Sequence, residues 1–177
     1  MEAVQIYRLL RDELRDRVDR GIAAVPGEAL RLFWLHLRPY YSTAIMDWIE
    51  NAGGAVVFED VNFPARSHLD PSAPYHSLAR EILLNTSRYR AFDSRWMEDV
   101  RRVVSGFRID GVIHFAHDNC GWSESVFPPL HRFLRDELKI PTLSLGGDCL
   151  VRGRDRLQNT RVLAFLESLD ARKRRPP

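Results

Sequence analysis

Apolar positions recur along the chain with two different periods. From Glu2 to about Gly21 they fall at Val4, Ile6, Tyr7, Leu9, Leu10, Leu14 and Val18, with Arg, Asp and Glu between them. That spacing predicts an amphipathic helix closed by Gly21. After the turn signal Val25-Pro26-Gly27, shorter apolar runs bounded by breakers predict four buried strands, at 32–37 (LFWLHL), 55–59 (AVVFE), 111–115 (GVIHF) and 141–145 (PTLSL). Helical spacing fills the intervals at 41–51, with Ser42 as its cap, and at 75–84, 94–107, 123–138 and 157–169. The longest stretch without periodicity, 60–74, is polar and proline-rich, and reads as a ligand-facing lid or insertion.

Strands alternating with helices predict an α/β fold: a Rossmann-like or flavodoxin-like, doubly wound, mainly parallel four-stranded sheet with helices on both faces. Residues 1–170 are expected to form one domain and residues 171–177 a basic, flexible tail. Ligands of such sheets bind beyond the carboxyl ends of the strands. Attention therefore falls on the loops at 38–42, 59–74, 116–123 and 146–156.

Charge and composition narrow the function classes. The formal charge of +2 includes Arg172, Lys173, Arg174 and Arg175, and without those four the rest of the chain carries −2. A nucleic-acid partner is therefore not expected. No run approaches the roughly 20 apolar residues that span a bilayer, so no membrane segment is expected. Cys120 and Cys149 are the only cysteines, too few for a disulfide framework, and a cytoplasmic location is expected.

The chemistry concentrates in a segment that starts inside the third predicted strand and runs into the next helix, His114-Phe115-Ala116-His117-Asp118-Asn119-Cys120-Gly121-Trp122-Ser123. Cys120 should lie near a helix N-terminus, where unpaired backbone N–H groups and the helix dipole favour negative charge. Gly121 would permit close approach of a ligand to the backbone. A small buried thiol filling space is the bland alternative for Cys120, and an ordinary thiol is the simpler reading of Cys149. His114 and His117 fall on opposite faces if the strand runs through both, which weakens a zinc site. After the fourth strand, Gly146-Gly147-Asp148 offers an open turn for an anionic or acyl ligand, without a GxGxxG fingerprint. Arg152, Arg154, Arg156 and Arg161 are candidates for coenzyme phosphates, or solvated surface charges. Glu59 and Asp60 end the second strand, where loop hydrogen bonding accounts for them with fewer assumptions than acid–base work. Trp34, Trp48, Trp96 and Trp122 read mostly as core, with only Trp122 adjoining the proposed site.

Several segments in order resemble a known family. They are Val25-Pro26-Gly27-Glu28, Gly54-Ala55-Val56-Val57-Phe58-Glu59-Asp60, Asp110-Gly111-Val112-Ile113-His114 through Asn119-Cys120, Ile140-Pro141-Thr142-Leu143, Gly147-Asp148, and residues 158–167 (QNTRVLAFLE). Together they are similar to the C-terminal half of the 2-hydroxyglutaryl-CoA dehydratase D-component and benzoyl-CoA reductase family. The resemblance implies an acyl-CoA substrate, a [4Fe-4S] cluster in the complete complex, a paired subunit or N-terminal domain, an oligomer, and a separate ATP-hydrolysing activator that injects one low-potential electron. It matches Cys120 to a cluster ligand. His117, Asn119 and Ser123 become catalytic candidates, and Gly121, Gly147, Asp148 and Arg154 cofactor-binding candidates.

The resemblance implies a component or fragment of an iron–sulfur-dependent 2-hydroxyacyl-CoA dehydratase that supplies one cluster ligand and part of the acyl-CoA site. A benzoyl-CoA reductase-type subunit is the alternative within the family. An interaction module that kept the fold without catalysis, and an anion-binding domain using the 146–156 loop, are the alternatives outside it. With two cysteines and no CxxC pair, the isolated chain is not expected to hold an intact cluster.

Overall fold

The computed structural model describes residues 3–62, 69–85, 94–118, 120–148 and 155–174. Among them, strands β1 (Leu30–Leu35), β2 (Gly54–Glu59), β3 (Gly111–His117) and β4 (Thr142–Gly147) form one all-parallel sheet in the order β2-β1-β3-β4. The helices are α1 (Ala3–Asp19), α2 (Ala44–Asn51), α3 (Pro74–Asn85), α4 (Ser94–Gly106), α5 (Gly121–Asp136) and α6 (Asp155–Arg174). The expected doubly wound α/β architecture is the observed one.

The central strands are apolar almost throughout because both of their faces are covered. Phe33, Leu35 and Val112 pack against Trp96, Val100 and Val103 of α4 and Phe127, Leu130 and Leu134 of α5. On the other face, Leu32, Trp34, Ile113, Phe115 and Leu145 meet Ile45 and Ile49 of α2 and Val162, Leu166 and Leu169 of α6. Gly111 shows how closely α6 lies on the sheet: a Cβ there would sit 2.6 Å from Leu169 Cδ1 and 3.0 Å from Phe165 Cζ.

The chain leaves β1 through α2 to β2 on one side, and β3 returns along the other side of β1. The connections diverge at the carboxyl ends of β1 and β3, which is where a sheet of this kind opens a crevice.

Some boundaries differ from those expected. β3 continues to His117, because its pairing with β4 extends to His117↔Gly147. β4 likewise reaches Gly147, so Gly146 and Gly147 are strand residues rather than a turn. Thr43, not Ser42, is the N-cap residue of α2, while Ser42 Oγ accepts the Ala44 N–H at 3.1 Å. Residues 171–174, expected within a flexible tail, continue α6. There Lys173 Nζ donates to Asp110 Oδ2 at 2.9 Å and Arg172 to the Lys139 carbonyl at 2.9 Å. The first predicted helix forms, but none of its residues is buried. Residues 63–68 of the 60–74 loop lie outside the described residues, and Asp60–Asn62 form a short 3-10 turn.

Candidate functional site

The ends of β1 and β3 bring two imidazoles together. His36, the first residue past β1, has φ +73°, in the left-handed region that a residue with a Cβ rarely adopts. It is held there by a carboxylate from the neighbouring strand end: its backbone N–H donates to Oδ1 of buried Asp60 at 2.9 Å. The turn brings the carbonyl of Leu37 to 3.0 Å from His117 Nε2. A carbonyl only accepts, so Nε2 is the donor in this contact. Nδ1 of the same ring is buried and has no hydrogen-bond partner. The His36 and His117 rings lie 4.5 Å apart, and Phe115 presents its ring to His117 at 5.0 Å.

Cys120 follows directly. It is the N-cap residue of α5, with extended backbone (φ −92°, ψ 90°), and its thiol is free and half-buried. Its N–H donates to the His117 carbonyl at 3.2 Å, and the Asp118 N–H donates to the Gly147 carbonyl at 2.8 Å. These bonds tie the turn to the ends of both β3 and β4. At Gly121 an added Cβ would meet nothing within 4 Å, so neither packing nor backbone requires a glycine there. At Gly147 it would lie 2.9 Å from Gln158 Nε2 and 3.0 Å from Phe115 Cζ. Gln158 is itself committed, donating to the Gly146 carbonyl at 3.1 Å. Packing alone therefore accounts for a glycine at position 147.

The structure thus gathers His117, Cys120, Gly121, Gly147 and Asp148 at one end of the sheet. Ser123 belongs to the first turn of α5, although its side chain is outside the described set. Asn119, Cys149, Arg152 and Arg154 lie outside the described residues. Arg156 and Arg161 are exposed on α6. In the β1–α2 loop, a cavity of about 510 Å³ is lined by Arg38, Tyr40, Tyr41, Ser42 and Thr43 among others, with Arg38 paired to Glu59 at 3.3 Å.

Two histidines that sequence reasoning passed over extend the cluster inward. His36 was visible as the one strongly polar side chain in the run LFWLHL. His131 sits on α5, its ring 5.0 Å from that of His114. His114, 3% exposed, has a hydrogen-bond partner at neither ring nitrogen and packs on Phe127 at 3.8 Å between ring centres. Burial, followed by the neighbouring His131, His36 and His117, pushes its pKa down from 6.5 to about 3, and burial also lowers that of His131. Asp60 does hydrogen-bonding work in the loop, in keeping with the simpler of its two readings.

The 2-hydroxyglutaryl-CoA dehydratase, D-component family matches residues 1–169 of the 177 in the chain. The chain belongs to this family. It is accordingly a dehydratase-type component of the kind that works with other dehydratase subunits and an activator. No curated protein matches it at a significant level. No described helix is long and apolar enough to cross a membrane.

The iron–sulfur cluster associated with the family asks for three or four protein ligands. Among the described residues, no group of three or more His, Cys, Asp or Glu side chains is arranged to hold a metal, and the whole sequence contains two cysteines. These residues do not make a complete cluster site.

Proposed function

We propose that the chain is a component of an iron–sulfur-dependent 2-hydroxyacyl-CoA dehydratase, in which Cys120 supplies one ligand to a [4Fe-4S] cluster completed from elsewhere in the complex. The observation that carries this reading is the placement of Cys120. It caps α5 at the point where the β1 and β3 connections diverge, with its thiol free and half-buried. Gly121 leaves open space beside it, which suits a bulky group next to the thiol.

In this reading His117, Asn119 and Ser123 serve the reacting acyl group, while Gly121, Gly147, Asp148 and Arg154 border the cofactor and the coenzyme A ester. Position 147 need only preserve the close packing of the strand end, whereas position 121 must stay small for the ligand. Residues 1–170 act as one domain, in the cytoplasm, beside a paired subunit and an ATP-hydrolysing activator.

The test is catalytic. The chain, co-purified without oxygen with its paired subunit and supplied with the activator and ATP, is expected to dehydrate a 2-hydroxyacyl-CoA. Reduction of an aromatic acyl-CoA instead would move it to the benzoyl-CoA reductase branch. Activity on neither, from an intact complex, would favour a non-catalytic interaction module.

A further inference from the structure

We propose that the exposed apolar face of α1 is a docking surface for an amphipathic helix of the paired dehydratase subunit, one that carries carboxylates along an edge of its own apolar stripe. The identity of the partner rests on the function proposed above, whereas the chemistry the partner must present is read from α1 itself.

An apolar stripe at helical spacing ordinarily faces a core, and this one does not. Tyr7, Leu10, Leu14 and Val18 are 51% to 76% exposed, and no residue of α1 is buried. The side chains stand in two neighbouring rows of four-residue spacing, Tyr7-Arg11-Arg15-Asp19 and Leu10-Leu14-Val18, which line a groove of about 630 Å³. Rows of this kind are what a second helix packs against, with one of its ridges seated in the groove. At 17 residues α1 is about 25 Å long, enough to hold roughly four turns of a partner.

The charges select the occupant. On the other side of the stripe, Glu13 pairs with Arg17 at 2.7 Å and Asp16 with Arg20 at 3.1 Å, so opposite charges offset each other there. Along the groove, Arg11 meets its neighbour Asp12 at 2.8 Å, while Arg15 has no ion pair among the described residues. Positive charge is thus left on the groove rim, where carboxylates of an occupant complement it.

A lipid surface is the poorer match. The helix holds Arg8, Arg11, Arg15 and Arg17 against Asp12, Glu13, Asp16 and Asp19, whereas a helix that binds anionic lipid carries a basic excess on its polar face. A second copy is disfavoured by symmetry. In an antiparallel two-fold pair the groove rim faces itself and sets Arg11 against Arg15 of the second copy; in a parallel pair it faces the side where Glu13 is already held by Arg17. The family match begins at residue 1 and so includes α1, and the partner to seek is a fellow subunit.

The experiment is hydrogen exchange of the full chain, alone and in its oxygen-free complex with the paired subunit, combined with the affinity of the two. The amides of α1 should exchange readily in the chain alone and be protected roughly 10-fold or more in the complex. Leu14→Ala, which keeps a good helix former, should weaken association roughly 10-fold or more, on the scale of a central anchor. Arg15→Glu should slow association and reverse its dependence on salt at that rim, so that the wild type loses more affinity than the variant as salt is raised. Neither side chain is buried, so both variants should melt with the wild type. A complex in which α1 stays unprotected would overturn the proposal, as would an affinity indifferent to both variants or two chains that do not associate. So would α1 protection that arises in the chain alone as it dimerises, or on phosphatidylglycerol vesicles and not in the complex. Dehydration by a complex with α1 unprotected would remove the docking surface and leave the proposed function; a protected α1 in a complex that dehydrates nothing would do the reverse.

Discussion

An imidazole wedged between a sheet and a helix, with neither nitrogen hydrogen-bonded, stays in place only while it is neutral. His114 is such a group, and its folded pKa of about 3 against an ordinary 6.5 makes stability depend on pH with a definite sign. Above pH 6.5 both folded and unfolded states hold the ring neutral, and it has no effect. Between 6.5 and about 3 the unfolded chain binds a proton that the fold resists, so stability falls as pH falls, by about 1.4 kcal/mol per unit for this one group. Denaturant titrations are expected to show a loss of about 2 kcal/mol near pH 5 that is largely absent in His114→Leu; equal acid slopes in the two proteins would refute it. The two site glycines should also separate. Gly147→Ala is expected to destabilise by about 1–3 kcal/mol through the clash with Phe115 and Gln158. Gly121→Ala, facing open space, should leave stability within about 1 kcal/mol of wild type. Reversed effects in thermal melts would contradict this packing account. At this scale the sequence marked Cys120 and His117 as candidates from their place at the end of a predicted strand. The ring contacts of His36 and His131 lie between elements and are encoded by no local pattern, although His36 stands out as a polar residue in an apolar run.

The elements were more legible than the residues. A central strand buried on both faces reads as an uninterrupted apolar run, and β1 and β3 stand out for that reason. Their ends were less clear: β3 adds Ala116 and His117 because β4 supplies partners as far as Gly147, a pairing that the polar His117 conceals. Helix α1 poses the opposite case. Its periodicity is plain, yet Tyr7, Leu10, Leu14 and Val18 are all exposed. Its support within the chain is mostly local, including the Arg17–Glu13 and Arg20–Asp16 pairs one turn apart, worth a few tenths of a kcal/mol each, roughly. At 17 residues it is only just past the length, about 12–15 residues, below which helices are marginal in water. Hydrogen exchange of the isolated chain should therefore find α1 amides poorly protected while β1 and β3 exchange only through global unfolding. Protection of α1 equal to that of β3 would mean that the helix is packed in solution.

For the whole molecule, strand order turns a list of residues into a site. Sequential alternation predicted a parallel sheet, but the order β2-β1-β3-β4 is what sets the ends of β1 and β3 side by side and brings Cys120 to their crevice. The family match covers residues 1–169, and the two cysteines of the chain are fewer than the ligands of a cluster. The account therefore requires a cluster shared with residues beyond those described. The most direct test is iron and acid-labile sulfide content, with electron paramagnetic resonance, on the oxygen-free complex of the chain with its paired subunit, in wild type and Cys120→Ala. The account predicts a cluster signal that is lost in Cys120→Ala while the complex remains assembled. A well-folded complex containing no iron in either form, or a cluster indifferent to Cys120→Ala, would contradict it.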